Sequence, residues 1–99
     1  MSTYVVKSKE NYTYNVVEVI TMFVPTLDSC IVGKVISEVR RKKKLSQEVV
    51  SGLADIGRTH LSAIERGERK PTLETLYRIC CAMDIKMSEV VKKIEDEII

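Results

Sequence analysis

Apolar positions along this chain follow two different rhythms, and the change of rhythm divides it. From Tyr4 to Val24, β-branched and aromatic residues crowd together as Tyr4-Val5-Val6, Tyr12, Tyr14, Val16-Val17, Val19-Ile20 and Phe23-Val24. Such residues favour the pleated, half-buried surface of a sheet. Ser8-Lys9-Glu10-Asn11 separates the first runs and reads as a turn, so a β-hairpin or pair of strands is expected, with a helix over Asn15–Phe23 as the alternative. Pro25 ends the element, and Thr26–Ser29 is a short linker with Asp28 or Ser29 as helix N-cap.

From Cys30 onward the period is helical. Val32, Ile36 and Val39 recur at i, i+4 and i+7, predicting a first helix to about Lys43. Ser46 follows Leu45 as the N-cap candidate of a second helix to about Ala54. Asp55 tolerates left-handed backbone, and Ile56 after it is an apolar plug. Gly57 opens a third helix, which carries Leu61 and Ile64 and closes at Gly67. Pro71-Thr72 starts a fourth, with Leu73, Leu76, Ile79 and Met83 on one face. Asp84 and Ile85 turn the chain into a fifth, Met87 to about Glu97, whose apolar positions are Val90, Val91, Ile94 and Ile98. The connections are short, so the expected fold class is mainly α: a five-helix bundle over residues 30–99 with a short N-terminal β-strand or hairpin extension over residues 1–29.

Composition narrows the picture. A chain of 99 residues, 44% hydrophobic and 30% charged, is an ordinary globule with a thin core, which dimerisation would naturally supplement. No run approaches the roughly 18 apolar residues of a membrane span, since Glu18 interrupts Val16–Val24. With no signal-peptide pattern at the N-terminus, a cytoplasmic location is expected. Charge is distributed unevenly. Residues 34–70 hold ten Lys and Arg against five Asp and Glu, a balance of +5, while residues 1–33 and 71–99 balance at −1 and −2. The middle of the chain is the candidate face for an anionic polymer.

The side chains that carry chemistry point away from catalysis. Cys30, Cys80 and Cys81 form no metal-ligand spacing, and neighbours on a helix diverge by about 100°. One cysteine is expected as a small buried apolar residue, with redox sensing as the alternative. His60 is the single histidine, and neither Ser46 nor Ser62 has a base and an orienting acid in any recognisable pattern. The expectation is therefore a non-enzyme without metal or cofactor.

The stretch Leu45-Ser46-Gln47-Glu48, Ile56-Gly57-Arg58-Thr59-His60-Leu61-Ser62-Ala63-Ile64-Glu65-Arg66-Gly67 and Pro71-Thr72-Leu73, followed by Leu76 and Ile79, resembles the phage repressor and Cro-like helix-turn-helix family. The likeness covers roughly residues 32–91 without gaps. It implies a five-helix domain whose third helix enters the DNA major groove while the second crosses the phosphate backbone. On that resemblance Gln47 contacts phosphate, Arg58 and Thr59 read base edges, and Ser62 lies one turn further on the same face. Arg69 and Lys70 fall in a loop that meets the backbone. Arg40 stands where the family places an arginine against the acid at Glu65, which implies an ion pair bracing the first helix against the third. Chemistry agrees with these roles: an exposed arginine can offer two parallel donors to guanine O6 and N7, and a threonine can give its hydroxyl to a base or its methyl to thymine.

Some positions depart from the family pattern or stay open. Asp55 and Lys44 stand where glycine is frequent, implying slight strain, and Lys86 replaces a frequent serine cap. The run Arg40-Arg41-Lys42-Lys43-Lys44 reads either as a solvated helix end favoured by the dipole or as phosphate contacts by Lys43 or Lys44. His60 reads equally as a DNA contact or a solvent-facing residue. Val49 and Leu53 are apolar where the family is polar: isolated surface residues, or a stripe covered by the N-terminal element. The function expected is a sequence-specific regulator of transcription, a repressor more often than an activator, acting as a homodimer on a palindrome. The N-terminal β element or the fifth helix would form the dimer. The rival is a protein-interaction module, such as the antitoxin of a toxin pair or a bridging factor.

Overall fold

The computed structural model describes residues 5–7, 13–15 and 25–98. Among them are two strands, β1 (Val5–Lys7) and β2 (Thr13–Asn15), and five helices: α1 (Ser29–Lys42), α2 (Gln47–Ala54), α3 (Arg58–Glu65), α4 (Leu73–Ala82) and α5 (Met87–Ile98). β1 and β2 pair antiparallel, with Val6 opposite Tyr14. The other positions assigned to the N-terminal element, Tyr4, Tyr12, the Ser8–Asn11 turn and residues 16–24, lie outside the described residues, and the alternative helix beyond Asn15 lies there too.

Three of the helix starts carry side-chain caps. Asp28 caps α1, its carboxylate accepting the Cys30 amide at 2.8 Å. Ser46 Oγ accepts the Val49 amide at 3.1 Å, and Thr72 Oγ1 the Thr75 amide at 3.0 Å. These bonds satisfy amides that the helix itself leaves without acceptors.

Helix ends repeat one device. Lys44, Asp55, Gly67 and Asp84 have φ of 59°, 55°, 77° and 53° and reverse the chain after α1, α2, α3 and α4. Behind each, the next amide returns to a carbonyl five residues back: Leu45 to Arg40, Ile56 to Ser51, Glu68 to Ala63 and Ile85 to Cys80, at 2.9–3.1 Å. This is the Schellman arrangement. In three of the four the returning residue is apolar, and Leu45, Ile56 and Ile85 pack on the core. A left-handed non-glycine residue costs roughly 1–2 kcal/mol, less for aspartate. Lys44 and Asp55 thus adopt the conformation their positions call for.

The core joins Val32, Val35, Ile36 and Val39 of α1 with Val50 and Ala54, Leu61 and Ile64, Leu76, Ile79, Cys80 and Met83, and Val90 and Ile94. Leu73 corrects the expected face of α4, being 71% exposed. It is the first residue of the helix, and the buried line begins one turn later at Leu76. On α5 the line runs Val90–Ile94, leaving Val91 and Ile98 partly exposed.

One crossing fixes α3. A Cβ built on Gly33 would lie 2.2 Å from the Ile64 carbonyl oxygen and 2.7 Å from that of Glu65, so α1 passes backbone to backbone over the end of α3. No helix among the described residues is long and apolar enough to cross a membrane.

Candidate nucleic-acid interface

α3 begins without a side-chain cap. Gly57 occupies the N-cap position in extended conformation, and among the described residues no side chain caps the first turn of the helix. Free amides and the positive end of the helix dipole favour an anion there. Arg58 and Thr59, the first two residues of α3, are both exposed. Ser62 shares their face by helical spacing and is half-buried, as is His60. Arg69 and Lys70 are exposed in the loop after α3.

Behind this face lies a polar cluster that ties three helices together. Arg40 Nε donates to Glu65 Oε2 at 2.7 Å and Nη2 to Oε1 at 2.9 Å, a two-pronged ion pair between α1 and α3. The third prong, Nη1, donates to the Leu45 carbonyl at 2.8 Å, just ahead of α2. Gln47 Nε2 then donates to Glu65 Oε1 at 3.1 Å, bringing in the first residue of α2. The side chains of Arg40 and Glu65 are 10% and 5% exposed, which makes the pair a buried one, satisfied on several sides. Burial pushes the Glu65 carboxyl up, but hydrogen bonds from Arg40, Gln47 and Ser37 and the Arg40 charge outweigh it and hold it below its ordinary value.

The predicted residues therefore fall into separate groups. Arg58 and Thr59 stand free at the start of α3, with Arg69 and Lys70 beyond its end. Arg40, Glu65 and Gln47 come together beneath. Lys43 is elsewhere: its Nζ donates to the Asp84 carbonyl at 2.7 Å, stapling the end of α1 to the α4–α5 turn. Three contributors were missed in the sequence. Arg66 donates to Ser62 Oγ and to the Glu68 carboxylate, occupying part of the polar capacity of the α3 face. The four-residue spacing of Ser62 and Arg66 could have signalled it. Ser37 lies on α1 three residues before Arg40, also a readable helical spacing. Gly33 was the third, and glycine within an apolar helix is itself a signal of close approach.

A family model described as helix-turn-helix matches residues 36–90. The chain belongs to the helix-turn-helix family. Its helix-turn-helix pair is α2 and α3, joined through Asp55 and Ile56. An uncharacterised HTH-type transcriptional regulator of Sinorhizobium fredii, y4dJ, is 38% identical over 61 residues, covering 62% of this chain and 79% of that protein. The control protein C.MunI of a Mycoplasma species is 36% identical over 66 residues, covering 66% and 89%. Among solved structures, the restriction-modification controller protein C.AhdI from Aeromonas hydrophila is similar with a TM-score of 0.62 and 31% identity, over 66% of this chain and 98% of that one.

Proposed function

We propose that this helix-turn-helix chain is a sequence-specific, double-stranded DNA-binding regulator of transcription, a repressor that acts as a homodimer on a palindromic operator. The observation that carries the reading is the start of α3: exposed Arg58 and Thr59 on an uncapped first turn, held from behind by the Arg40–Glu65 pair. α3 enters the major groove, where Arg58 reads guanine, worth about 1–3 kcal/mol of discrimination, and Thr59 reads the adjacent base. His60 and Ser62 complete that face, while Gln47, Arg69 and Lys70 contact phosphate. Lys43 is turned toward the α4–α5 turn by its bond to the Asp84 carbonyl, so a phosphate contact from it would be made from that position with its remaining donors.

Residues 30–99 serve as the DNA-binding domain and residues 1–29 as a dimerisation or partner element. Apolar Val91 and Ile98, seven residues apart on one face of α5 and partly exposed, support that helix as the other dimer surface. A protein partner is the second reading, favoured by exposed Val49 and Leu53 on α2.

Selection of bound duplexes from a random library at roughly physiological salt tests the reading. A two-fold-symmetric motif is the expected outcome, and no enrichment would move the assignment to the interaction module. On the selected duplex, Arg58→Ala should relax preference at one position of each half-site. Lys70→Ala should weaken all sequences alike and lower the salt slope by about one. Equal, sequence-blind losses from both would sink the division of roles.

A further inference from the structure

The hydrogen bond between Gln47 and Glu65 has no part in holding α1 to α3, because both carboxylate oxygens already receive the Arg40 fork. It does act on Gln47. A carboxylate only accepts, so this contact requires the amide nitrogen, not the amide oxygen, to face Glu65. One N–H of Nε2 is thereby engaged, which leaves the second N–H and the amide oxygen to turn elsewhere. Gln47 is the first residue of α2 and only half-buried, so an unheld side chain there would sample several rotamers.

We infer that Glu65 is a positioning residue for DNA binding: it holds Gln47 in one orientation with a donor presented to the phosphate backbone before DNA arrives. This rests on the DNA-binding reading above. Its physical content is preorganisation, because a side chain ordered in the free protein loses less freedom on binding. Arg40 anchors the acceptor through its fork and through the Leu45 carbonyl, so the orientation is set by three helices at once.

The inference opposes simple electrostatics. A carboxylate near phosphate repels it, so removing the Glu65 charge should tighten binding if charge alone mattered. Glu65→Gln leaves one carbonyl oxygen for donors that include both prongs of the Arg40 fork, and the neutral Gln47 amide loses its acceptor. Preorganisation therefore predicts weaker binding, mediated by Gln47.

A double-mutant cycle on the selected duplex reads this. Gln47→Ala and Glu65→Gln should each weaken binding about tenfold, a difference of about 1.4 kcal/mol. The double variant should be no weaker than Glu65→Gln alone. Multiplying effects, or tighter binding by Glu65→Gln, would overturn the inference. Because Glu65→Gln also disturbs Arg40, affinities are taken well below each variant's melting temperature. A second readout needs no variant. Gln47 is the one glutamine in the sequence, so its side-chain amide resonances are unambiguous. In the DNA-free protein they should exchange slowly and show restricted motion; averaging like that of an exposed glutamine would equally overturn it. If the chain selects no duplex at all, the DNA-binding reading fails and the inference with it, while selection with an uncoupled cycle removes the inference alone.

Discussion

Cys80 is 1% exposed on α4, and burial, aided by neighbouring Cys81, pushes its thiol up to about 11. Cys30 and Cys81 face solvent. Alkylation of the native protein with iodoacetamide near neutral pH should modify two thiols readily and the third only on unfolding, as counted by mass spectrometry. Three equal rates would contradict the buried position. That one cysteine would be buried was legible, because a small apolar side chain is commonly placed inside a core. Which one was not legible, since Cys80 and Cys81 differ only by 100° around α4. The same limit governs the cation run. Five consecutive basic residues announce a charged helix end, yet the direction of Lys43 depends on the reversal at Lys44 and on where the α4–α5 turn lies. Only the three-dimensional arrangement supplies the Asp84 carbonyl. Arg58 and Thr59, by contrast, could be located from the resemblance, because the motif fixes their distance from Gly57.

At the level of elements, the contact between α1 and α3 is the most sensitive. Gly33→Ala would drive a methyl group against two carbonyl oxygens of α3 that cannot move singly. The expected loss is about 1–3 kcal/mol, the range for overpacking, read as a lower denaturation midpoint with an unchanged denaturant slope. The Arg40–Glu65 pair adds an acid dependence. Since Glu65 is held below its ordinary carboxyl value of 4.5, its contribution is complete above that value. It is lost as pH falls below 4.5 and through the lower folded-state value. Melting temperature measured from pH 7 downward should stay level on this account until about pH 5 and then fall, and Glu65→Gln should flatten part of the fall. A variant as acid-sensitive as the parent would remove Glu65 from the explanation. Helix boundaries were largely readable, because Asp28, Ser46 and Thr72 are capping residues and Asp55 and Gly67 suit reversals. Leu73 was misplaced because periodicity marks a face without telling where along a helix the covering neighbours begin.

Across the whole molecule, the positive balance is carried by residues 34–70, the stretch that spans α1 to the loop after α3. If two copies present α3 to one side of a duplex, half-site centres lie about 10–10.5 base pairs apart or at a multiple. Inserting about five base pairs between half-sites should abolish cooperative binding, and inserting about ten should restore much of it in a gel-shift titration. Indifference to spacing would exclude the paired arrangement. The charge asymmetry was countable from the sequence, whereas the dimer surface was not, because exposed apolar residues occur on α2, α4 and α5 alike.

The repeated reversal after α1, α2, α3 and α4 has a kinetic consequence. Each is closed by hydrogen bonds spanning no more than five residues, and in three the residue that follows is apolar and packs on the core. Where each helix stops is therefore set locally, although helices of 8–14 residues gain their stability only on packing. What remains for the conformational search is the docking of the helices on one another, α2 on α4 and α1 on α3 and α5, and at α1–α3 the absence of a side chain at Gly33 allows the two backbones to meet. Chains whose native order is so largely local fold quickly, in microseconds to milliseconds. One of those dockings, α1 on α3, is the contact that fixes α3 in place.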